Sequence, residues 1–254
     1  MPPPPPPPNM APPPGYVPYG GPMMSAGYMG RIGGLTKWLV ALLIGSLVLN
    51  LLSLLGQLFA RDAAADFLEG AISAGEFNDK LVLFGIAALV GLAVSIGQIV
   101  VLCIWTYRMI KNHDALGRHG RSFSPGGSIA VNLLGGCTLG ILNFFMWREI
   151  WKGADPDTAP GDPSWKQRAA SVLPGIQLGL TLAGVAAGIG LGVANSGFTT
   201  IRINNQSNVD LAETLEDQFA LIALSGALGI AASVVFIMYV RQVAARHMKA
   251  TREA

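Results

Sequence analysis

Five stretches of this 254-residue chain contain no Asp, Glu, Lys or Arg: residues 38–60, 81–107, 122–147, 169–201 and 219–240. A helix needs about 20 apolar residues to cross a hydrocarbon core of about 30 Å, so each stretch is long enough to do so. One charge at a helix centre costs about 2.5 to 3.5 kcal/mol on insertion, so a lipid-embedded helix excludes charge and a soluble one has no reason to. Charged residues make up 13% of the chain, against about 25% in soluble domains, and they are confined to the connections. These features predict an all-α membrane protein. A nucleic-acid binder gathers its basic residues on a soluble face. Here the 17 Lys and Arg sit beside apolar segments, so membrane lipids are the expected partners and nucleic acid is not.

Residues 1–30 hold 12 of the 17 prolines, with Pro2 to Pro8 in one run. A segment of this composition cannot bury a core and favours extended polyproline II. Residues 1–35 are therefore expected as a disordered Pro/Gly/Tyr-rich tail, 36–245 as a helical transmembrane domain and 246–254 as a short basic tail. Pro13-Pro14-Gly15-Tyr16 matches a ligand motif of WW domains, so the tail is either a generic spacer or a place for a protein partner. The first apolar run, at 23 residues, exceeds the roughly 7 to 15 of a signal-peptide core and is expected as a retained helix.

Lys and Arg stay on the cytoplasmic side of a membrane, and acids count for little. The N-terminus, residues 108–121 and the C-terminal tail are basic, and residues 148–168 carry four Lys or Arg mixed with four acids; residues 61–80 and 202–217 are acidic. The basic parts fall on one side only if the stretch 122–147 enters and leaves by the same face. Its composition agrees, because Asn132, Asn143, Gly135, Gly136 and Gly140 interrupt the apolar run, as suits a broken segment shielded by protein. Four transmembrane helices plus one re-entrant or interfacial segment follow, with both termini cytoplasmic in the plasma membrane. Trp38, Trp105, Tyr107, Trp147, Trp151, Trp165 and Tyr239 are expected as an aromatic belt at the inner interface.

Ser46, Asn50, Ser53 and Gln57 advance in steps of four, three and four, which puts them on one helical face. Such a stripe must face protein or water, with Ser95 and Gln98 as candidate neighbours. Gly184, Gly188 and Gly192 flatten one face of the helix within 169–194, for packing inside the chain or between copies in a homo-oligomer.

Catalytic and metal-binding patterns are absent from the sequence: it has no Walker loop, HExxH or GxSxG. His113 and His119 are expected in a solvated loop, and Asp155-Pro156-Asp157 as a turn. Cys103 and Cys137 are expected as small apolar side chains. No cofactor, metal or enzymatic activity is expected.

The most distinctive block runs from Trp105-Thr106-Tyr107-Arg108 through Asn112, Ala115-Leu116-Gly117 and Ser124-Pro125-Gly126 to Arg148-Glu149-Ile150-Trp151 and Asp155-Pro156. It resembles domain of unknown function 4328, a family common among actinobacterial membrane proteins. The resemblance covers about residues 36–245, with Gly127 where family members usually have Trp. It implies the tail, two helices, central block and two further helices described above, and no activity. Within the block, Arg108 and Glu149 stand where two segments leave the bilayer, near Asn112, Arg148 and Trp151, either each anchored to lipid headgroups or paired with one another. The functional expectation is a non-enzymatic scaffold or regulator. The alternative is a passive channel or small-solute transporter built around the polar stripe.

Overall fold

A computed structural model describes residues 29–194 and 205–253, and every element among them is helical. Helix α1 spans Gly33–Leu68, α2 Ala74–Ala115, α3 Pro125–Leu133, α4 Ile141–Gly153, α5 Leu173–Ala194, α6 Asn205–Asp217 and α7 Phe219–Ala250, with a short 3-10 helix at Pro163–Gln167. Three of these helices are long and apolar enough to cross a membrane: α1, the Leu89–Ala115 part of α2, and α7. A shorter apolar helical stretch runs over Leu173–Ile189. The Pro-rich expectation and the tail motif at residues 13–16 lie outside the described residues, as does the 195–201 part of the fourth apolar stretch.

The helices overrun their charge-free stretches. At about 1.5 Å per residue, the 36 residues of α1 and 42 of α2 reach about 54 and 63 Å, well past a 30 Å core. The residues expected as loops at 61–68 and 74–80 are helical extensions, joined through Gly70. Ser73 and Glu76 form a reciprocal capping box that starts α2, which satisfies amides left free at a helix start. The overhang is packed by Ala63, Ala64 and Phe77 against Ala212 of α6, with Phe67 and Phe77 stacked at 4.9 Å. Likewise α7 continues through Arg241, Arg246 and Lys249, so most of the tail expected at 246–254 is helix. Charge marks where an apolar zone ends. Backbone hydrogen bonding continues in water wherever Ala, Arg, Lys and Glu favour it.

The outer surface of the bundle is apolar along much of its length. On α1, Ile44, Val48, Leu52, Leu55 and Phe59 form an exposed apolar stripe. Helix α2 matches it with exposed Leu89, Leu92, Ile96 and Ile99. The main core lies at the other end from the acidic overhang, where Leu39, Leu43, Trp105, Met109, Met146, Trp147, Ile150, Tyr239 and Val240 pack together. The aromatic-belt expectation is corrected here. Trp38 is 69% exposed, but Trp105, Trp147, Trp165 and Tyr239 are core residues. The Trp105 indole donates to Thr36 Oγ1 at 2.9 Å and the Tyr239 hydroxyl to the Trp147 carbonyl at 2.7 Å. With those polar ends satisfied inside, neither ring needs an interface.

The stretch 122–147 forms a hairpin of two short helices. Ser124 caps α3, accepting from the Gly127 amide at 3.0 Å. The chain turns back through residues 134–140, where Gly140 holds φ 77° before α4 begins. A left-handed residue there costs little for Gly and about 1 to 2 kcal/mol for others. Both open ends of the hairpin meet, because Glu149 of α4 accepts from the Ser122 and Phe123 amides at 2.8 and 3.3 Å. Asn132 fixes α3 against α2 through Thr106 Oγ1 at 2.8 Å, and Asn143 donates to Asn132 at 3.4 Å.

Candidate functional sites: a polar clamp and a polar hollow

The start of α1, the end of α2, the α4–α5 connection and the end of α7 converge at one end of the bundle. Five hydrogen bonds hold residues 30–33 there. The Asn112 side chain accepts from the Gly30 amide at 2.9 Å and donates to the Gly30 carbonyl at 2.8 Å. Arg108 donates to the Arg31 carbonyl at 3.1 Å. Glu253 accepts from the Ile32 and Gly33 amides at 2.9 and 2.8 Å. Its negative charge stands at the N-terminus of α1, where the helix dipole favours it. The segment that roots the N-terminal tail is thus held by α2 and by the chain's other end.

Behind this clamp sits a buried polar layer. Asn112 Nδ2 lies 3.0 Å from His247 Nε2, and the His247 and His113 rings stand 5.4 Å apart. The solvated-loop expectation for His113 is corrected: α2 runs on to Ala115 and buries it, while His119, in the turn beyond, is exposed. A Cβ on Gly153 would lie 2.6 to 3.1 Å from His113 Cε1, Nδ1 and Nε2, so the nitrogen-bearing edge of the ring packs on the α4 backbone. No group of three potential metal ligands occurs among the described residues.

Arg118 and Asp155 organise the connection after α4. Arg118 is 1% exposed and donates to the carbonyls of Gly153, Asp155, Thr158 and Ala159 at 2.7 to 3.3 Å. Asp155, 4% exposed, meets Arg246 of α7 at 2.6 Å, Arg168 at 3.0 Å and the Thr158 hydroxyl at 2.6 Å. It is more than the turn residue expected from its neighbouring proline. Asp162 caps the 3-10 helix through the Ser164 amide and hydroxyl, both at 2.8 Å, and these bonds hold its carboxyl below the usual carboxylate range.

The central block is therefore brought to one end but not into one cluster. Arg108 and Glu149 do not pair and have separate partners: the Arg31 carbonyl for Arg108, and the Ser122 and Phe123 amides for Glu149. Arg148 stacks over Phe144 at 5.2 Å, and Arg246 covers the Trp151 ring at 4.6 Å. Arg118, Arg246 and Glu253 were not singled out in the sequence, and Asp155 was read there only as a turn residue. Asp155 and Glu253 carried one mark, as acids in segments otherwise read as basic.

The polar stripe divides. Ser46 donates to Gln98 Oε1 at 2.7 Å. Ser46, Asn50, Ser95, Gln98, Gln177 and Ser233 line a hollow of about 380 Å³ between α1, α2, α5 and α7. Ser53 lines a second hollow of about 950 Å³, which shares Leu49, Asn50 and Gly91 with the first and extends to Asp62, Asp66 and Asp79. Gln57 lies off the first hollow, near the face of Gly226 on α7. Toward the basic end the bundle is filled by Leu39, Trp105, Trp147, Tyr239 and Val240. The hollow is polar and uncharged. It can hold water or a neutral hydrogen-bonding molecule, and no acid or base in its lining can transfer a proton.

Helix α5 packs chiefly on α7, yet a Cβ at Gly179, Gly184 or Gly188 would meet nothing within 4 Å. The glycine face thus packs against no other described helix of this chain at these positions. Comparisons of the chain with protein families, with curated proteins and with solved structures find no match.

Proposed function

We propose that this chain is a non-enzymatic, multi-pass protein of a bacterial plasma membrane that acts as a scaffold or regulator through its N-terminal tail. In this reading α1, the apolar part of α2, α5 and α7 cross the bilayer. The α3–α4 hairpin is re-entrant, both termini are cytoplasmic, and the chain belongs with the domain of unknown function 4328 proteins it resembles. The observation that carries the reading is the clamp. Residues 30–33, the root of the tail, are held by Asn112, Arg108 and Glu253, and Asn112 also reaches His247 in the buried layer. A partner that pulls on the tail therefore loads α2 and α7 directly. The open glycine face of α5 is available for a second copy of the chain.

A second reading, a passive channel or small-solute transporter, is favoured by one feature, the uncharged hollow lined by Asn50 and Gln98. The aromatic fill toward the basic end weighs against it. Reconstituted vesicles decide between them. Wild-type protein is expected to give no flux of glycerol, urea or monovalent ions above protein-free vesicles. Flux present in wild type and abolished by Asn50→Leu with Gln98→Leu, in protein that still folds, would overturn the scaffold reading.

A further inference from the structure

On the side of the basic end away from the clamp, a groove of about 530 Å³ opens between the turn before α3, helix α4 and the 3-10 helix. Arg148, Lys152 and Lys166 line it, with Phe123, Phe145 and Glu149. No described carboxylate lies within 4.0 Å of any of the three cations, because the ion pairs at this end involve Asp114 and Asp155. Glu149 is occupied by the Ser122 and Phe123 amides, so it builds the wall. Lys152 donates to the Lys166 carbonyl at 2.9 Å, which joins α4 to the 3-10 helix across the groove.

The face of α4 beneath the groove changes character along its length. Ile141, Phe145, Arg148 and Lys152 follow one another at steps of four, three and four and so share one side of the helix. The first two are exposed and apolar, Phe145 at 51%. The last two are basic. A surface that is apolar toward the hairpin tip and cationic toward the polar end matches a molecule with a chain at one end and an anion at the other.

We infer that this groove binds one anionic phospholipid, its phosphate held by Arg148, Lys152 and Lys166 and its acyl chain lying along Phe145 and Ile141. Guanidinium and ammonium groups without carboxylate partners suit a phosphodiester, and basic pockets at the cytoplasmic face are where anionic headgroups are bound. The inference rests on the reading of this end as the inner membrane surface. A zwitterionic lipid carries its own cation and gains less from three basic side chains, which fixes the expected order of affinity.

The experiment follows bound lipid by native mass spectrometry and by thermal unfolding of the full chain in neutral detergent. Phosphatidylglycerol, phosphatidylcholine and inorganic phosphate are added in turn. Phosphatidylglycerol is expected to bind and to raise the melting temperature more than phosphatidylcholine. Lys152→Gln with Lys166→Gln should weaken that binding by roughly tenfold or more, whereas Lys37→Gln with Lys249→Gln, both exposed and outside the groove, should leave it unchanged. Should the groove pair misfold, Lys166→Gln alone, an exposed side chain, carries the same comparison with a smaller loss. Equal response to the two lipids, or phosphatidylglycerol binding that survives loss of the groove lysines, would overturn the inference. Inorganic phosphate reproducing the whole effect would make this a free-anion site and overturn the lipid assignment. Protein that fails to insert even into phosphatidylcholine vesicles contradicts the membrane reading instead.

Discussion

Gly153 shows how much of the basic end depends on single atoms. Its missing side chain lets the α4 backbone close on the His113 ring, where any Cβ would sit 2.6 Å from Cε1. The ring is fully buried and has the His247 ring behind it, so it has no room to retreat. Gly153→Ala is expected to destabilise the protein by about 1 to 3 kcal/mol, the usual range for overpacking. Adding His113→Ala should recover much of that loss, because it removes the clashing edge. Thermal unfolding of the two single variants and the double checks this, and simple additivity would mean that the strain lies elsewhere. Some of this scale was legible in the sequence. Asn112, Arg108 and Glu149 stood out in a block dense with Trp and Arg, and all three make long-range bonds. Their partners were not legible, because each of them bonds to backbone groups, which leave no trace in side-chain identity. The same holds for Arg118, whose four acceptors are carbonyls.

At the scale of elements, charge-free stretches located every long helix but misjudged its ends. Hydropathy reports where lipid contact stops, whereas capping and packing decide where a helix stops. The Ser73–Glu76 box and the Ala212 contact set the acidic overhang, and neither is a hydropathy feature. The interrupted stretch 122–147 was legible as broken, and the turn at 134–140 falls at its glycines, while Asn132 and Asn143 lie in the helices on either side. Its turn gives a direct test. Gly140 holds φ 77° at the start of α4, and a β-branched residue tolerates that region poorly. Gly140→Val is expected to cost about 1 to 3 kcal/mol, while Gly136→Val, with nothing within 4 Å of its Cβ and no positive φ, should cost less. Comparable losses at both positions, in thermal unfolding in detergent, would mean that the turn conformation does not control the hairpin. The aromatic residues were misplaced because a Trp next to a basic residue looks the same in sequence whether it anchors to lipid or fills a core. The buried partner of the indole, Thr36, lies 69 residues from Trp105.

For the whole molecule, the account rests on one asymmetry. One end gathers the four basic segments, both open ends of the hairpin and the tail root, while the other carries the acidic overhang of α1, α2 and α6. That arrangement is the one that the proposed single cytoplasmic face requires of Lys and Arg, and in the proposed topology the α3–α4 hairpin enters and leaves by that face. Cysteine accessibility tests this most directly. In a background with Cys103 and Cys137 replaced, single cysteines are placed at Ala71, His119 and Gln167, all exposed. Ala71 lies in the acidic overhang, and the other two lie before and after the hairpin. An impermeant thiol reagent on intact cells should label Ala71→Cys alone, and all three should label once the membrane is permeabilised. Labelling of Gln167→Cys but not His119→Cys on intact cells would mean that the stretch 122–147 crosses the bilayer, and would contradict the account.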